Sequence, residues 1–225
     1  MHPAIILDTE TTDVENADVV ELAWATFEFD TPTAAVSGAH HRFEPQKKMA
    51  WGALATHHIL PDELVGHPPS ETAPARVPAA KYWIGHNIDF DWKVLGKPPV
   101  KRICTLAMCR AVWPNADSHT QTAMMYFLFG ATPATRERVR AAHGAFADIG
   151  LTRELLIRIC ELEEISDLDA LYDFSEQARI PRVFSFGKFK GQPIAAADRG
   201  YAGWYSRQPD PDPYLLEAFR RARLL

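Results

Sequence analysis

The chain has 225 residues, 47% hydrophobic, 24% charged and 11% aromatic. This balance excludes a disordered polar chain and suits one domain of ~100–200 residues with room for a small appendage. No apolar run approaches the ~20 residues of a membrane span, and the first residues lack the charged-then-apolar pattern of a secretory signal. Three cysteines, Cys104, Cys109 and Cys160, exclude a disulfide framework and fit no usual zinc spacing. They are expected as reduced core thiols of a cytoplasmic protein. The formal charge of −5 is unevenly spread. Residues 176–225 hold nine Lys/Arg against five acids, a balance of +4, which leaves −9 on the other 175 residues.

In chain order, Ala4-Ile5-Ile6-Leu7 is an apolar run too short for a helix and reads as a buried central strand that ends in a polar loop from Asp8 to Asp13. Val19 to Phe29 alternates Ala23, Ala25, Phe27 and Phe29 with Trp24, Thr26 and Glu28, a strand with two distinct faces. After the Thr31-Pro32 break, Ala35 to Phe43 completes an antiparallel meander. A short helix is expected from Met49 to Thr56, then an irregular crossing marked by Pro61, Pro68, Pro69, Pro74 and Pro78. Lys81 to Gly85 reads as a strand and Asp89 to Leu95 as a helix. Helical patterns follow, ending in Phe146 to Glu164 with Ile149, Leu156, Ile157 and Ile159 as its apolar stripe. The pattern predicts an α/β layered domain over residues 1–165, a connecting segment over 166–181 and a small basic module over 182–225.

Three clusters carry chemistry. Asp8 and Glu10 follow the first strand, and a two-residue step in extended backbone puts both carboxylates on one face. Paired oxygens there suit a hard divalent cation. With 29 acids in 225 residues, however, roughly four acid-x-acid pairs arise by chance. The second cluster is Gly85-His86-Asn87-Ile88-Asp89-Phe90-Asp91. Asn87 and Asp91, four apart, share a helix face, whereas Asp89 lies ~200° from Asp91. Asp91 is therefore the inward carboxylate, and Asp89 stabilises the helix start. The third is His143-Gly144-Ala145-Phe146-Ala147-Asp148, where Gly144 is expected to permit a turn that folds His143 over the carboxylate of the helix. The His-x4-Asp spacing also occurs at His57/Asp62 and His86/Asp91; alone, the second cluster fits a capped helix start and the third a surface histidine beside a helix terminus.

In this order, Asp-x-Glu, His-Asn-x3-Asp and His-x4-Asp, the chain resembles the DEDDh 3′–5′ exonucleases, relatives of the proofreading exonucleases with a ribonuclease H-like fold. The resemblance spans residues 4 to about 160. In one branch it extends to Ala53-Leu54-Ala55-Thr56-His57-His58-Ile59, Arg102-Ile103-Cys104-Thr105, Ser185-Phe186-Gly187-Lys188-Phe189-Lys190-Gly191 and Tyr201-Ala202-Gly203-Trp204. It implies a mixed sheet flanked by helices. It also implies Asp8, Glu10, Asp91 and Asp148 as metal ligands, with His143 as general base. Physical chemistry agrees: four converging carboxylates raise one another's pKa unless cations neutralise them. Two Mg²⁺ ions, with Mn²⁺ as a substitute, fit an all-oxygen donor set.

The same resemblance assigns Thr9, Thr11, Val14, His57 and Asn87 to the substrate, with Val14 as an apolar wedge against the terminal base. Asn87 equally suits a helix cap and His57 a satisfied helix end. The loop carrying Val14 also holds Asp13, Glu15 and Asp18, more acid than a DNA-facing loop usually carries. Lys188 and Lys190 are expected to meet DNA, because cations interleaved with aromatics combine phosphate attraction with base stacking. The implied activity is release of 5′-mononucleotides from the 3′ ends of single-stranded or duplex DNA. Short or structured RNA is the alternative substrate. A catalytically silent nucleic-acid-binding module and a two-carboxylate glycosidase are the alternatives from other classes.

Overall fold

The computed structural model describes residues 2–29, 37–140 and 144–225. They form two compact units, residues 1–175 and 176–225. The first is built on a mixed five-stranded sheet, order β3-β2-β1-β4-β5. β1 (His2–Thr11) pairs antiparallel with β2 (Val19–Thr26), which pairs antiparallel with β3 (Gly38–Arg42). β4 (Ala80–Gly85) and β5 (Lys101–Cys104) continue the sheet in parallel on the other side of β1. Ala4, Ile5, Ile6 and Leu7 are wholly buried in this central strand, each larger side chain stabilising the fold by about 1.5–3 kcal/mol.

Two expectations change here. β1 does not stop at Leu7: pairing of Asp8 with Ala23 and of Glu10 with Glu21 carries the strand through Thr11. A register shift follows between Glu10 and Thr11, the kind of irregularity that re-aims side chains beside active sites. β5 occupies a stretch expected to be helical. Only Ile103 and Cys104 of its four residues are buried, too few to show a strand period in the sequence. The Thr31-Pro32 break lies outside the described residues.

Helices pack around the sheet. α1 (Trp51–His57) follows β3, two 3-10 turns (Pro61–Leu64 and Ser70–Arg76) make the proline-rich crossing, and α2 (Asp89–Val94) follows β4. α3 (Thr105–Val112), α4 (Gln121–Phe129) and α5 (Pro133–Arg140) lead to α6 (Ala145–Leu162). α6 lies against β1, β2, α3 and α4. Its buried stripe is Ala145, Asp148, Ile149, Thr152, Leu155, Leu156 and Ile159, so one turn of an apolar face carries a carboxylate. α7 (Leu168–Ala178) occupies most of the segment expected as a connection. Its Ser175 hydroxyl accepts the Cys104 N–H of β5 at 2.8 Å.

The second unit holds α8 (Arg199–Tyr205) and α9 (Pro213–Arg221) around its own core of Phe184, Ile194, Ala202, Leu215 and Phe219. Cys104, Cys109 and Cys160 are buried free thiols; burial pushes Cys109 and Cys160 up to about 12. Among the described residues no helix is long and apolar enough to cross a membrane.

Candidate metal centre and substrate cleft

Three elements converge at the end of β1. Asp8, Glu10 and Asp148 place one carboxylate oxygen each within 4.8 Å of one another. Asp91, from α2, is not within that trio, but its charge is felt there and raises the pKa of Asp8. Thr9 fixes Asp91 in place: its N–H donates to Asp91 Oδ1 at 2.9 Å and its hydroxyl donates to the same oxygen at 2.7 Å. Asp91 and Thr9 are both buried. The threonine between the two strand carboxylates therefore orients a third.

Asp89 points elsewhere, onto Arg102 of β5, as the helical offset predicts. Asn87 departs from expectation. It precedes α2 with φ +73°, is exposed and makes no side-chain cap, so it does not share a helix face with Asp91.

The electrostatics are those of a buried acid cluster. Burial and the charges of Asp91, Asp148, Glu10 and Glu21 hold Asp8 well above the usual carboxylate range. Burial and the neighbouring acids push Glu10 up to about 8. Burial lifts Asp91 to about 7 against the lowering effect of its Thr9 hydrogen bonds. Acids this destabilised in their charged form are what a divalent cation would relieve. An all-oxygen donor set of this kind suits a hard divalent cation.

Glu21 was missed in the sequence. It is 2% exposed on β2, opposite Glu10. Its Oε2 accepts the Ala145 N–H at 2.8 Å and so caps α6, the helix that carries Asp148. Its Oε1 meets His40 Nε2 at 2.8 Å and Arg42 Nε at 3.1 Å. Burial alone would raise its pKa, but these three partners outweigh it and keep the carboxylate below its ordinary value. The available signal was an acid inside the apolar run Val19-Val20-Glu21-Leu22-Ala23. Glu21→Ala is expected to cost about 1–3 kcal/mol, the scale of a buried donor left unsatisfied. Glu21→Gln, which keeps an acceptor for Ala145, should cost less. Urea unfolding checks this, and equal losses would mean that the helix cap is not what Glu21 supplies.

His143 lies outside the described residues. Gly144, next to it, has an extended φ of −139°, so its place does not demand glycine on conformational grounds as the turn expectation held.

Beside the acids opens a cleft of about 470 Å³ lined by Thr9, Glu10, Thr11, Val14, His57 and Phe90 among others. Val14 stands 79% exposed at its edge. Thr11 is buried and donates its hydroxyl to the Asp13 carbonyl. His57, 4% exposed, accepts the Ile59 N–H on Nδ1 at 3.0 Å. Its Nε2 is buried. Burial pulls its pKa below the ordinary value, partly offset by the Thr11 backbone. The acidity of the Val14 loop is moderated: Asp18 meets Lys47 Nζ at 3.0 Å and accepts the Gln46 and Lys47 N–H groups. Lys188 and Lys190 are exposed in the second unit.

No family model matches the chain. Among curated proteins it is similar to exodeoxyribonuclease 10 of Escherichia coli K12, 26% identical over 203 residues that cover 88% of each chain. The protein of the same name from E. coli O6:H1 matches equally. Among solved structures, exonuclease X in complex with 5′-overhanging duplex DNA superposes with a TM-score of 0.61 at 24% identity, over 76% of this chain and 99% of that one. The zinc-bound E. coli ExoI–ssDNA complex gives 0.57 at 18% identity, over 77% and 43%. These structural likenesses establish the fold, a ribonuclease H-like mixed sheet flanked by helices. In motif order, in its exodeoxyribonuclease 10 homologues and in this fold, the chain resembles the DEDDh-type 3′–5′ exonucleases.

Proposed function

We propose that the chain is a metal-dependent 3′–5′ exonuclease that hydrolyses terminal phosphodiesters of DNA and releases 5′-mononucleotides. The observation that carries this reading is the gathering of Asp8, Glu10 and Asp148 within 4.8 Å, with Asp91 held beside them by Thr9. Asp8, Glu10 and Asp148, with Asp91 through the oxygen that Thr9 does not occupy, would hold two Mg²⁺ ions. When bound, such ions stabilise the attacking and leaving oxygens of a phosphodiester and acidify the attacking water.

The remaining steps belong to the chain. Thr9 and Glu21 hold Asp91 and the start of α6 in position, so that the acids need little reorganisation when the phosphate arrives. His143, five residues before Asp148 in the sequence, is assigned the general base, since an imidazole titrates near the pH at which it must accept a proton. The cleft edge at Val14 and the buried His57 would bracket the terminal nucleotide. Homology to a named exodeoxyribonuclease favours DNA; a contact to a 2′-hydroxyl would favour RNA.

The test is incubation with 3′-labelled and 5′-labelled single strands of DNA and RNA, with Mg²⁺ or EDTA. The reading requires prompt release of the 3′ label as a mononucleotide from DNA, and none in EDTA. Early release of the 5′ label, or digestion in EDTA, refutes it; faster digestion of RNA transfers the activity to the alternative substrate. In the second unit, Lys188→Ala with Lys190→Ala is expected to weaken DNA binding and to flatten its log–log salt dependence by up to ~2. An unchanged slope in an anisotropy titration would reduce these lysines to surface charge.

A further inference from the structure

The unit formed by residues 176–225 leaves two of its large aromatic side chains outside its core. Phe184 is buried and Phe189 packs on it, but Phe186 is 46% and Trp204 51% exposed. Neither is isolated. The Phe186 ring lies 6.3 Å from Tyr205 and the Trp204 ring 5.5 Å from Tyr201. Tyr201 and Tyr205 are four residues apart and share a face of α8, and each lies beside one of the two exposed rings. Gly187 joins the loop to it. At φ +71° it adopts a backbone that side chains rarely tolerate, and a Cβ there would meet the Tyr201 hydroxyl at 3.4 Å. The loop that carries Phe186 is thus fitted against α8.

Charge completes the surface. Lys188 reaches over the Phe189 ring at 5.1 Å, and Lys190, Arg199 and Arg207 are exposed. Arg207 Nη1 comes within 3.6 Å of where a Gly203 Cβ would stand on α8. Of the acids, Asp198 spends an oxygen on the Tyr201 N–H at the start of α8 and Asp212 on the Tyr214 N–H at the start of α9. Phosphates attract the cations and unpaired bases stack on the rings; a surface offering both fits a single strand better than a duplex, whose base faces are covered.

We propose that this surface binds single-stranded polynucleotide, with Phe186 and Trp204 stacking on bases and Lys188, Lys190 and Arg207 meeting phosphates. It deepens the exonuclease reading and rests on it for the class of ligand. The unit carries +4 where the rest of the chain carries −9, which makes it the natural holder of a strand that the acidic body repels. An acidic protein partner would be drawn by the same cations but has less use for two base-sized rings.

The test uses the full chain in EDTA, so that binding is read without digestion, and a fluorescein-labelled oligothymidylate. Phe186→Ala with Trp204→Ala should weaken binding about tenfold or more, the scale of lost base stacking. The salt slope should stay unchanged, because no counterions are involved. Trp204→Phe, which keeps a ring, should retain most of the affinity, and a fully paired hairpin should be little affected. Wild-type affinity in the double variant overturns the proposal, as does equal loss in Trp204→Phe and Trp204→Ala. A wild-type chain that binds the strand but releases no nucleotide in Mg²⁺ would sink the exonuclease reading and leave this surface standing. Digestion by the wild type combined with undiminished binding by the double variant would do the reverse.

Discussion

Asp91→Ala and Asp148→Ala are each expected to remove nearly all nucleotide release, by at least ~10²–10³-fold, the scale on which loss of one preorganised electrostatic contact lowers kcat. Asp91 and Asp148 are buried and are ligands of the metal pair in the proposed function, so no solvent-exposed carboxylate can take over from them. Asp89→Ala is the paired control. It lies two residues from Asp91 and has the same chemistry, but it faces Arg102. Its removal should cost at most a few-fold in rate and something in stability, since Arg102 is left beside the Trp92 ring, 4.0 Å from its centroid, without that carboxylate. Single-turnover rates at saturating Mg²⁺ decide it. Comparable losses at Asp89 and Asp91 would mean that the wrong face of α2 has been assigned to the reaction.

His143→Ala should lower the rate by ~10²–10⁴-fold, as loss of a general base usually does. The defect should shrink as pH rises, because hydroxide from solvent increasingly replaces the missing base, whereas the Asp91 and Asp148 variants should gain nothing comparable. Metal affinity should be largely retained, since an imidazole is not among the four carboxylates proposed as donors. A near-normal rate for His143→Ala at neutral pH removes histidine from the mechanism.

Much of this site could be read from the residues alone because its parts obey local periodicities. The step of two along an extended strand pairs Asp8 with Glu10, and the 100° step of a helix separates Asp91 from Asp89. Asp148 sits on the same stripe as Ile149, Thr152 and Ile159, so an amphipathic pattern places it inward. The rest depends on contacts between distant segments, which no local period encodes. Thr9 looks like any polar residue at a strand end until Asp91 arrives from 82 positions away. Glu21 reaches Ala145 across 124 residues. Asn87 adopts a left-handed φ of +73° where the pattern indicates the first turn of a helix. β5 is legible only from its partner: Ile103 pairs with Ile84 and Cys104 with Gly85, and four residues beginning Lys-Arg carry no alternation of their own. Over residues 182–191, the sequence offers three phenylalanines of equal standing. Only packing separates buried Phe184 from exposed Phe186.

The acid cluster also fixes how cations should bind as pH changes. A carboxyl whose pKa is raised in the folded chain holds its proton more tightly there than when unfolded. The metal-free fold should therefore be most stable in the ordinary carboxylate range and lose stability as pH climbs towards about 8, the value for Glu10. A cation must displace those protons, so its affinity should climb over the same interval. The most direct measurement is a calorimetric titration of Mn²⁺ into the metal-free chain on either side of the Asp91 value of about 7, in two buffers of different ionisation enthalpy. The account predicts binding that saturates near two ions per chain, is tighter on the alkaline side and releases protons on the acid side, and is largely lost in Asp148→Asn. A folded chain that takes up no Mn²⁺ on the alkaline side, or takes it up equally well with Asp148→Asn, would contradict the assignment of these acids as a metal centre.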